Sequence, residues 1–250
     1  GLADPALRSL ADQFYWSGVV RLGRWIRLFR REGVRQAIMA GSVRKREMYG
    51  RFRLVRFLPD WTTFRIWFFV AADKRNDTLL RCAADEMRRR GVTLTNCVEY
   101  CPDHMAGPGV MTRTRPSAAQ LRDAEFGWRI AKEMGRLDIG QSVAVKEQEV
   151  IAVEAIEGTD DMIARAGLLC RAGGWTLVKV AKPKQDMRFD VPTVGLHTIE
   201  NLRAHGAGMA VVEAGRTLMV DREKVIAAAD RAGIVLFGME DATTAPAAGT

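Results

Sequence analysis

Cysteine, histidine and long apolar runs are all scarce in this chain. Four cysteines (Cys82, Cys97, Cys101 and Cys170) in 250 residues cannot build a disulfide framework at this length, which points to a reducing cytoplasm. Cys97, Cys101 and His104 have the spacing of half a zinc site, but no second Cys/His pair follows to close it. The most apolar stretch, Trp61 to Ala72, contains Arg65 and is too short to span a bilayer, and no signal peptide is visible. A Gly-x-Ser-x-Gly elbow is absent, which leaves serine–histidine nucleophilic catalysis without support. The glycine-rich phosphate loops of P-loop and dinucleotide-binding proteins are missing as well. No internal repeat is present.

What remains is an ordinary globular composition, 48% hydrophobic and 27% charged, in a chain long enough for a real core and one or two domains. The net charge of +8 and pI near 9.7 favour acidic partners such as phosphates, anionic lipid heads or nucleic acid. The excess is uneven: Arg21 to Arg56 holds twelve Lys/Arg against two Glu. No aromatic-interleaved basic motif accompanies it, so no nucleic-acid partner is expected.

Periodicity predicts an α/β chain. Val19, Leu22, Ile26 and Phe29 recur at helical spacing between Gly18 and Arg31, with arginines elsewhere on the surface, and Gly33 ends the helix. Residues 34–40 read as a strand stopping at Gly41-Ser42, Trp61–Ala72 as a buried helix, and Val92–Val98 as a strand. Between the last two, Asn76 or Asp77 caps a helix with Leu79, Leu80, Ala83, Ala84 and Met87 inward. A loop rich in Gly, Pro and Thr runs from Cys101 to Pro116, which sets the expected domains at 1–116 and 117–240, with a disordered tail at 241–250. Ser117 caps a helix over 118–134, and 142–146 with 150–155 form a hairpin. A helix opens near Thr159, its plausible cap, and residues 177–181 form a buried strand. Then come a helix over 193–205, short strands at 209–213 and 217–220, a helix 222–232 capped by Asp221, and a last strand at 234–238.

The richest stretch is Lys182 to Gly195. It packs Lys182, Lys184, Arg188, Asp186 and Asp190 into a loop that Pro183 and Pro192 keep out of helix. A charged loop between strand and helix is where α/β proteins place chemistry. Its cations can neutralise phosphate, and its carboxylates can hold a divalent metal or orient water. Asp190 stands out because it precedes a helix whose N-terminal dipole meets anions. Two further loops, 137–141 and 157–160, also set a carboxylate beside a glycine or hydroxyl. A plainer reading stays open for each: a solvated loop, a helix start at Glu157–Asp160, or an Asp138–Arg136 bridge. His197 and His205 lie on the helix after Asp190, where surface histidines are common.

Several blocks together resemble one family. Arg136-Leu-Asp-Ile-Gly-Gln, Val153-Glu-Ala-Ile-Glu-Gly-Thr-Asp160, Lys182-Pro-Lys-Gln, Arg188-Phe-Asp-Val-Pro-Thr-Val-Gly195 and Glu213-Ala-Gly-Arg with Val220-Asp-Arg-Glu resemble the LpxI-type UDP-2,3-diacylglucosamine pyrophosphatases. Ala40-Gly-Ser-Val43 and Asn76-Asp-Thr-Leu-Leu-Arg81 extend the likeness more weakly, so that it covers most of residues 1–238. The resemblance implies hydrolysis of UDP-2,3-diacylglucosamine to 2,3-diacylglucosamine 1-phosphate (lipid X) and UMP in lipid A biosynthesis. It further implies a cytoplasmic enzyme on the inner-membrane surface that uses Mg2+ or Mn2+, with homodimerisation left open. Carried over by motif, Asp190 is the essential residue, as metal ligand or orienter of water. Glu157, Thr159, Asp160, Lys182, Lys184, Gln185 and Thr193 are the candidates for substrate contact around it. The implied fold is an N-terminal Rossmann-like parallel sheet, shortened at its start because the family's opening strand and Gly-rich turn are not seen here, and a C-terminal mixed α/β domain. A non-catalytic carrier or sensor of an acylated nucleotide sugar is the alternative.

Overall fold

A computed structural model describes residues 4–41, 58–73, 76–183 and 186–241, with the side chains of Asn76 and Asp77 outside that set. The Asn76/Asp77 cap, the Gly-Ser turn from Ser42 onward and the 242–250 tail therefore lie outside the described residues. The chain divides into two units, residues 1–97 and 98–250.

In the first unit, helix α1 (Leu22–Arg31) buries Leu22, Gly23 and Ile26 and turns its arginines outward. Gly33, at φ +70°, closes it as a left-handed residue, and the Val34 amide reaches back to the Phe29 carbonyl at 2.8 Å. Strand β1 (Gln36–Ile38) pairs in parallel with β2 (Thr93–Thr95), Gln36 opposite Thr93 and Ile38 opposite Thr95. Asp60 joins two helices: its Oδ1 accepts the Thr63 amide at 3.0 Å, capping α2 (Trp61–Arg65), and its Oδ2 accepts the Arg24 amide at 2.9 Å. Gly23 allows this approach, since a Cβ there would lie 2.7 Å from Thr62 Oγ1.

The buried helix expected over 61–72 is corrected. Helix α2 passes into a π-helical turn at Ile66–Val70, and only Thr62 and Ile66 are buried. Trp61 and Phe69 are about three-quarters exposed, at 73% and 75%. Successive aromatic positions point around the helix, so one core face cannot take them all. Trp61 instead stacks on Phe64, their ring centres 5.4 Å apart.

Helix α3 (Asn76–Arg89) carries the buried carboxylate of Glu86. Glu86 takes Arg65 and Arg89 on one oxygen, at 3.0 and 2.8 Å, and Arg90 on the other at 2.6 Å. Burial works against its charge. The hydrogen bond from Arg90 and the three guanidinium charges outweigh that, and hold the carboxyl below its ordinary value of 4.5. A depressed folded value means that the contribution is complete above the unfolded value and is lost as pH falls through the folded one. Glu86→Gln is therefore expected to destabilise the chain at pH 7 by about 2–4 kcal/mol, leaving three guanidinium groups around a neutral amide. The wild-type advantage should shrink as pH falls below 4.5. Chemical denaturation of both proteins at pH 7 and pH 3.5 checks this.

The second unit is a six-stranded sheet in the order β3-β10-β8-β6-β4-β5. Its strands are β3 (Gly109–Val110), β4 (Ser142–Lys146), β5 (Glu149–Val153), β6 (Trp175–Lys179), β8 (Ala207–Glu213) and β10 (Val235–Met239). Strands β6, β8 and β10 are mutually parallel, β4 is antiparallel to both β5 and β6, and β3 is antiparallel to β10. Because Gly109-Val110 pairs with β10, the loop before Ser117 sits with the second unit. The units thus part between Cys97 and Val98, whereas the sequence reading put the boundary after Pro116.

Helix α4 (Ala118–Arg136) starts in a capping box of Ser117 and Gln120 and covers one sheet face through Trp128, Ala131 and Met134. Helices α5 (Thr159–Leu169), α6 (Leu196–Ala204) and α7 (Arg222–Ala232) contribute Met162, Ile163, Ile199, Leu202, Val225 and Ala229 to the core on the opposite side. Both faces of β6 are therefore sealed, which explains its run without alternation. Each buried Leu or Val there contributes about 1.5–3 kcal/mol.

Two local expectations need correction. Asp221 precedes α7 in a left-handed conformation, φ 54°, makes no side-chain cap, and pairs with Lys224 at 3.1 Å. The helix predicted from Thr193 begins at Leu196, because Thr193-Val194 forms a short strand β7 parallel to β9 (Leu218–Met219).

Candidate functional site

The antiparallel hairpin reverses direction twice between β6 and β5, so the carboxyl ends of β5, β6, β8 and β10 share one edge of the sheet. Such an edge is the usual ligand side of an open α/β sheet. Glu154 follows β5, Lys179 ends β6 and Glu213 ends β8, and all three are buried. Gly140 lets the 137–141 turn close over this edge: a Cβ there would lie 2.1 Å from the Glu154 carbonyl oxygen.

Lys179 is the centre of the arrangement. Its ammonium donates to the Thr193 carbonyl at 3.0 Å and to Thr159 Oγ1 at 3.4 Å. Burial pushes its pKa down from the ordinary value, opposed by the carboxylates of Glu154, Asp160 and Asp190. Thr159 passes the connection on, since its hydroxyl donates to Glu154 Oε1 at 3.2 Å. This corrects the reading of Thr159 as a cap: Gly158 occupies that position, at φ 91°, and the hydroxyl serves Glu154 instead. The second oxygen of Glu154, Oε2, is buried with no hydrogen-bond partner among the described residues.

Around this centre lie the exposed carboxylates of Asp160 and Asp190 and the exposed Thr193. Asp160 opens α5, where the helix dipole favours its charge, and Asp160 Oδ2 lies 3.5 Å from His197 Nε2. Asp190 closes a turn whose amide reaches the Asp186 carbonyl at 3.3 Å. Val191 and the buried Pro192 then lead into β7. Of the predicted site residues, Thr159, Asp160, Asp190 and Thr193 are thus gathered by Lys179.

Glu157 and Lys182 make other pairings. Glu157 takes Arg165 at 2.8 Å on Oε1 and the Ala155 amide at 3.1 Å on Oε2, which makes it a clamp of the turn before α5. Lys182 ion-pairs with Asp138, while Arg136 takes Glu133 at 2.7 Å. Arg188 grips Asp186 with two nitrogens at 2.9 and 2.7 Å, a pairing internal to the loop. Lys184 and Gln185 lie outside the described residues.

Glu213 anchors the root of the loop. Its Oε2 accepts the Ala181 amide at 2.7 Å and the Lys132 ammonium at 2.8 Å, and Lys132 also reaches Asp241 at 2.8 Å. Sequence reasoning quoted Glu213 in a motif without giving it a role, and overlooked Lys179 and Glu154. One signal was available for Lys179: a lone cation inside an apolar strand, where a charge is buried only with partners.

Oxygen ligands dominate the edge, which suits magnesium or manganese rather than zinc. Among the described residues no three His, Cys, Asp or Glu side chains converge on one point. Magnesium does not need three: it is commonly held by one or two carboxylates with substrate phosphates and water completing the set. Asp190 and Asp160, both exposed and both acting on the buried Lys179 ammonium, could supply those carboxylates.

Comparison with known proteins covers the same ground. Residues 1–104 match the family model described as the LpxI N-terminal domain, and residues 107–237 the one described as the LpxI C-terminal domain. The chain is 34% identical over 249 residues to the "UDP-2,3-diacylglucosamine pyrophosphatase LpxI" of Caulobacter vibrioides, an alignment covering 95% of this chain and 85% of that protein.

Proposed function

We propose that this chain, which belongs to the LpxI family, hydrolyses the pyrophosphate of UDP-2,3-diacylglucosamine to 2,3-diacylglucosamine 1-phosphate (lipid X) and UMP. The observation that carries this reading is the match of both domains in order, together with 34% identity to a named pyrophosphatase over 95% of the chain. In the reaction, water forms a new P–O bond, the bridging P–O bond of the pyrophosphate breaks, and the leaving phosphate takes the electron pair.

Asp190 holds and orients the attacking water or accepts its proton, at the mouth of the edge. The N-terminal turn of α5 offers backbone amides to the phosphate oxygens, and Thr193, exposed beside it with its hydroxyl on the Val191 carbonyl, lines the substrate. Lys182, Lys184 and Gln185 are the candidates for contact with the pyrophosphate, and Glu157 supports the turn that presents Asp160. Magnesium, or manganese in its place, would be held by Asp190 with Asp160 and would neutralise charge on the phosphate oxygens. We read the parallel β1–β2 pair as part of a Rossmann-like sheet that serves the nucleotide. The enzyme works in the cytoplasm at the inner-membrane surface, where a diacylated substrate resides. Among the described residues no helix is long and apolar enough to cross a membrane.

Release of UMP tests the reading. Purified chain incubated with excess UDP-2,3-diacylglucosamine should release many equivalents of UMP per chain, measured by chromatography. A carrier or sensor would retain about one equivalent of intact substrate and release none, which would overturn the proposal.

A further inference from the structure

Lys179 is the most costly residue at the sheet edge. An ammonium withdrawn from water loses several kcal/mol of hydration unless its protons find oxygen partners. It ends a strand of otherwise neutral buried residues, Trp175, Thr176, Leu177 and Val178, and is itself only 7% exposed. Its two partners come from separate segments. Thr159 is the first residue of α5, and Thr193 is the first residue of β7, after the charged loop has turned back.

Each partner is tied to a carboxylate of the site. Thr159 is bonded directly to Asp160. Thr193 is three residues beyond Asp190, and the link is stiff: Pro192 fixes its own φ, and the Thr193 hydroxyl donates to the Val191 carbonyl at 2.9 Å. From the other side, β7 is held by β9, with the Leu218 amide on the Pro192 carbonyl at 2.8 Å and the Val220 amide on the Val194 carbonyl at 3.0 Å. No other hydrogen bond found among the described residues joins the start of α5 to the Asp190–Val194 segment.

We propose that Lys179 is the positioning residue of the site: it staples the start of α5 to the end of the charged loop and so sets the separation of Asp160 and Asp190. The inference rests on the hydrolase reading for its catalytic consequence but not for its structural one. Lys179 does not reach solvent enough to take substrate itself. Glu154, held through Thr159, is the largest of the three carboxylate influences on the ammonium, and the other two, Asp160 and Asp190, are exposed to ligand.

The test uses the full chain and two variants. Lys179→Met keeps the length of the side chain without the ammonium. It should lower kcat by about 10²-fold, the effect of misplacing catalytic groups by about 1 Å, while leaving KM within about threefold. Backbone amide exchange should speed up at residues 158–161 and 191–195 and stay unchanged in β8 and β10. Lys179→Met alone strands the Glu154 charge, so Lys179→Met/Glu154→Gln is the second variant. It should recover most of the lost melting temperature but not the lost kcat. Recovery of kcat to within about threefold of wild type in the double variant would overturn the proposal, since Lys179 would then serve only to neutralise Glu154. Unchanged exchange at both segments would overturn it as well. Exchange is read without substrate, so a wild-type chain that fails to hydrolyse the lipid would sink the hydrolase reading and leave the staple to be judged by exchange alone.

Discussion

Asp190→Ala is expected to lower turnover by about 10² or more, the usual loss for a group that acts on charge in the transition state. Asp190 is exposed at the mouth of the sheet edge, so it contributes no core packing, and its removal costs little stability. Its carboxylate is one of three that act on the Lys179 ammonium, and the amide of Asp190 is fixed by the Asp186 carbonyl at 3.3 Å. The turn therefore survives loss of the side chain. The expected signature is a fall in kcat with KM and melting temperature near wild type, read by steady-state kinetics and thermal unfolding. Activity within about threefold of wild type would remove Asp190 from the mechanism.

Chelation is the second large effect. Two exposed carboxylates can be brought to one pyrophosphate, and a divalent cation would offset their repulsion of the substrate's negative charge. EDTA should abolish hydrolysis, and magnesium should restore it, with manganese as a substitute of the same ligand preference. Zinc should restore little, since no Cys/His set is gathered among the described residues. Magnesium completed by substrate phosphates need not stay on the free chain, so elemental analysis of the purified chain is a weaker readout than titration of activity with magnesium. Full activity in chelator, with no metal detected, would remove the metal from the account.

The second unit was legible from sequence because its signals are local. Two apolar segments at 142–146 and 150–155 around a polar turn at 147–149 mark a hairpin, and the structure places Glu147 and Gln148 in that turn at positive φ, 55° and 58°. Ser117 and Gln120 spell a capping box, and the helix starts there. Asp190 could be singled out as well, since a carboxylate between two prolines and a helix needs no tertiary information to attract notice.

What escaped was set by tertiary contacts. Thr159 has every local attribute of a cap, yet the buried Glu154 five residues earlier claims its hydroxyl. Asp221 likewise looks like a cap, but its left-handed backbone turns the side chain toward Lys224. Lys179 reads as an accidental charge in an apolar run until β7 and α5 are seen to meet over it. The aromatic segment at Trp61–Val70 failed for another reason. Apolar content predicts burial, but direction around a helix decides which rings are covered, and a mid-segment π turn shifts that direction.

Hydrolysis itself, rather than binding, is the central claim, and isotope transfer from water tests it most directly. The wild-type chain is incubated with UDP-2,3-diacylglucosamine in 18O-labelled water, and both products are weighed by mass spectrometry. The expected result is one labelled oxygen per turnover, in the phosphate of either UMP or lipid X, with none in the recovered substrate. Cleavage without label in either product, or intact substrate returned bound to the protein, would contradict the account.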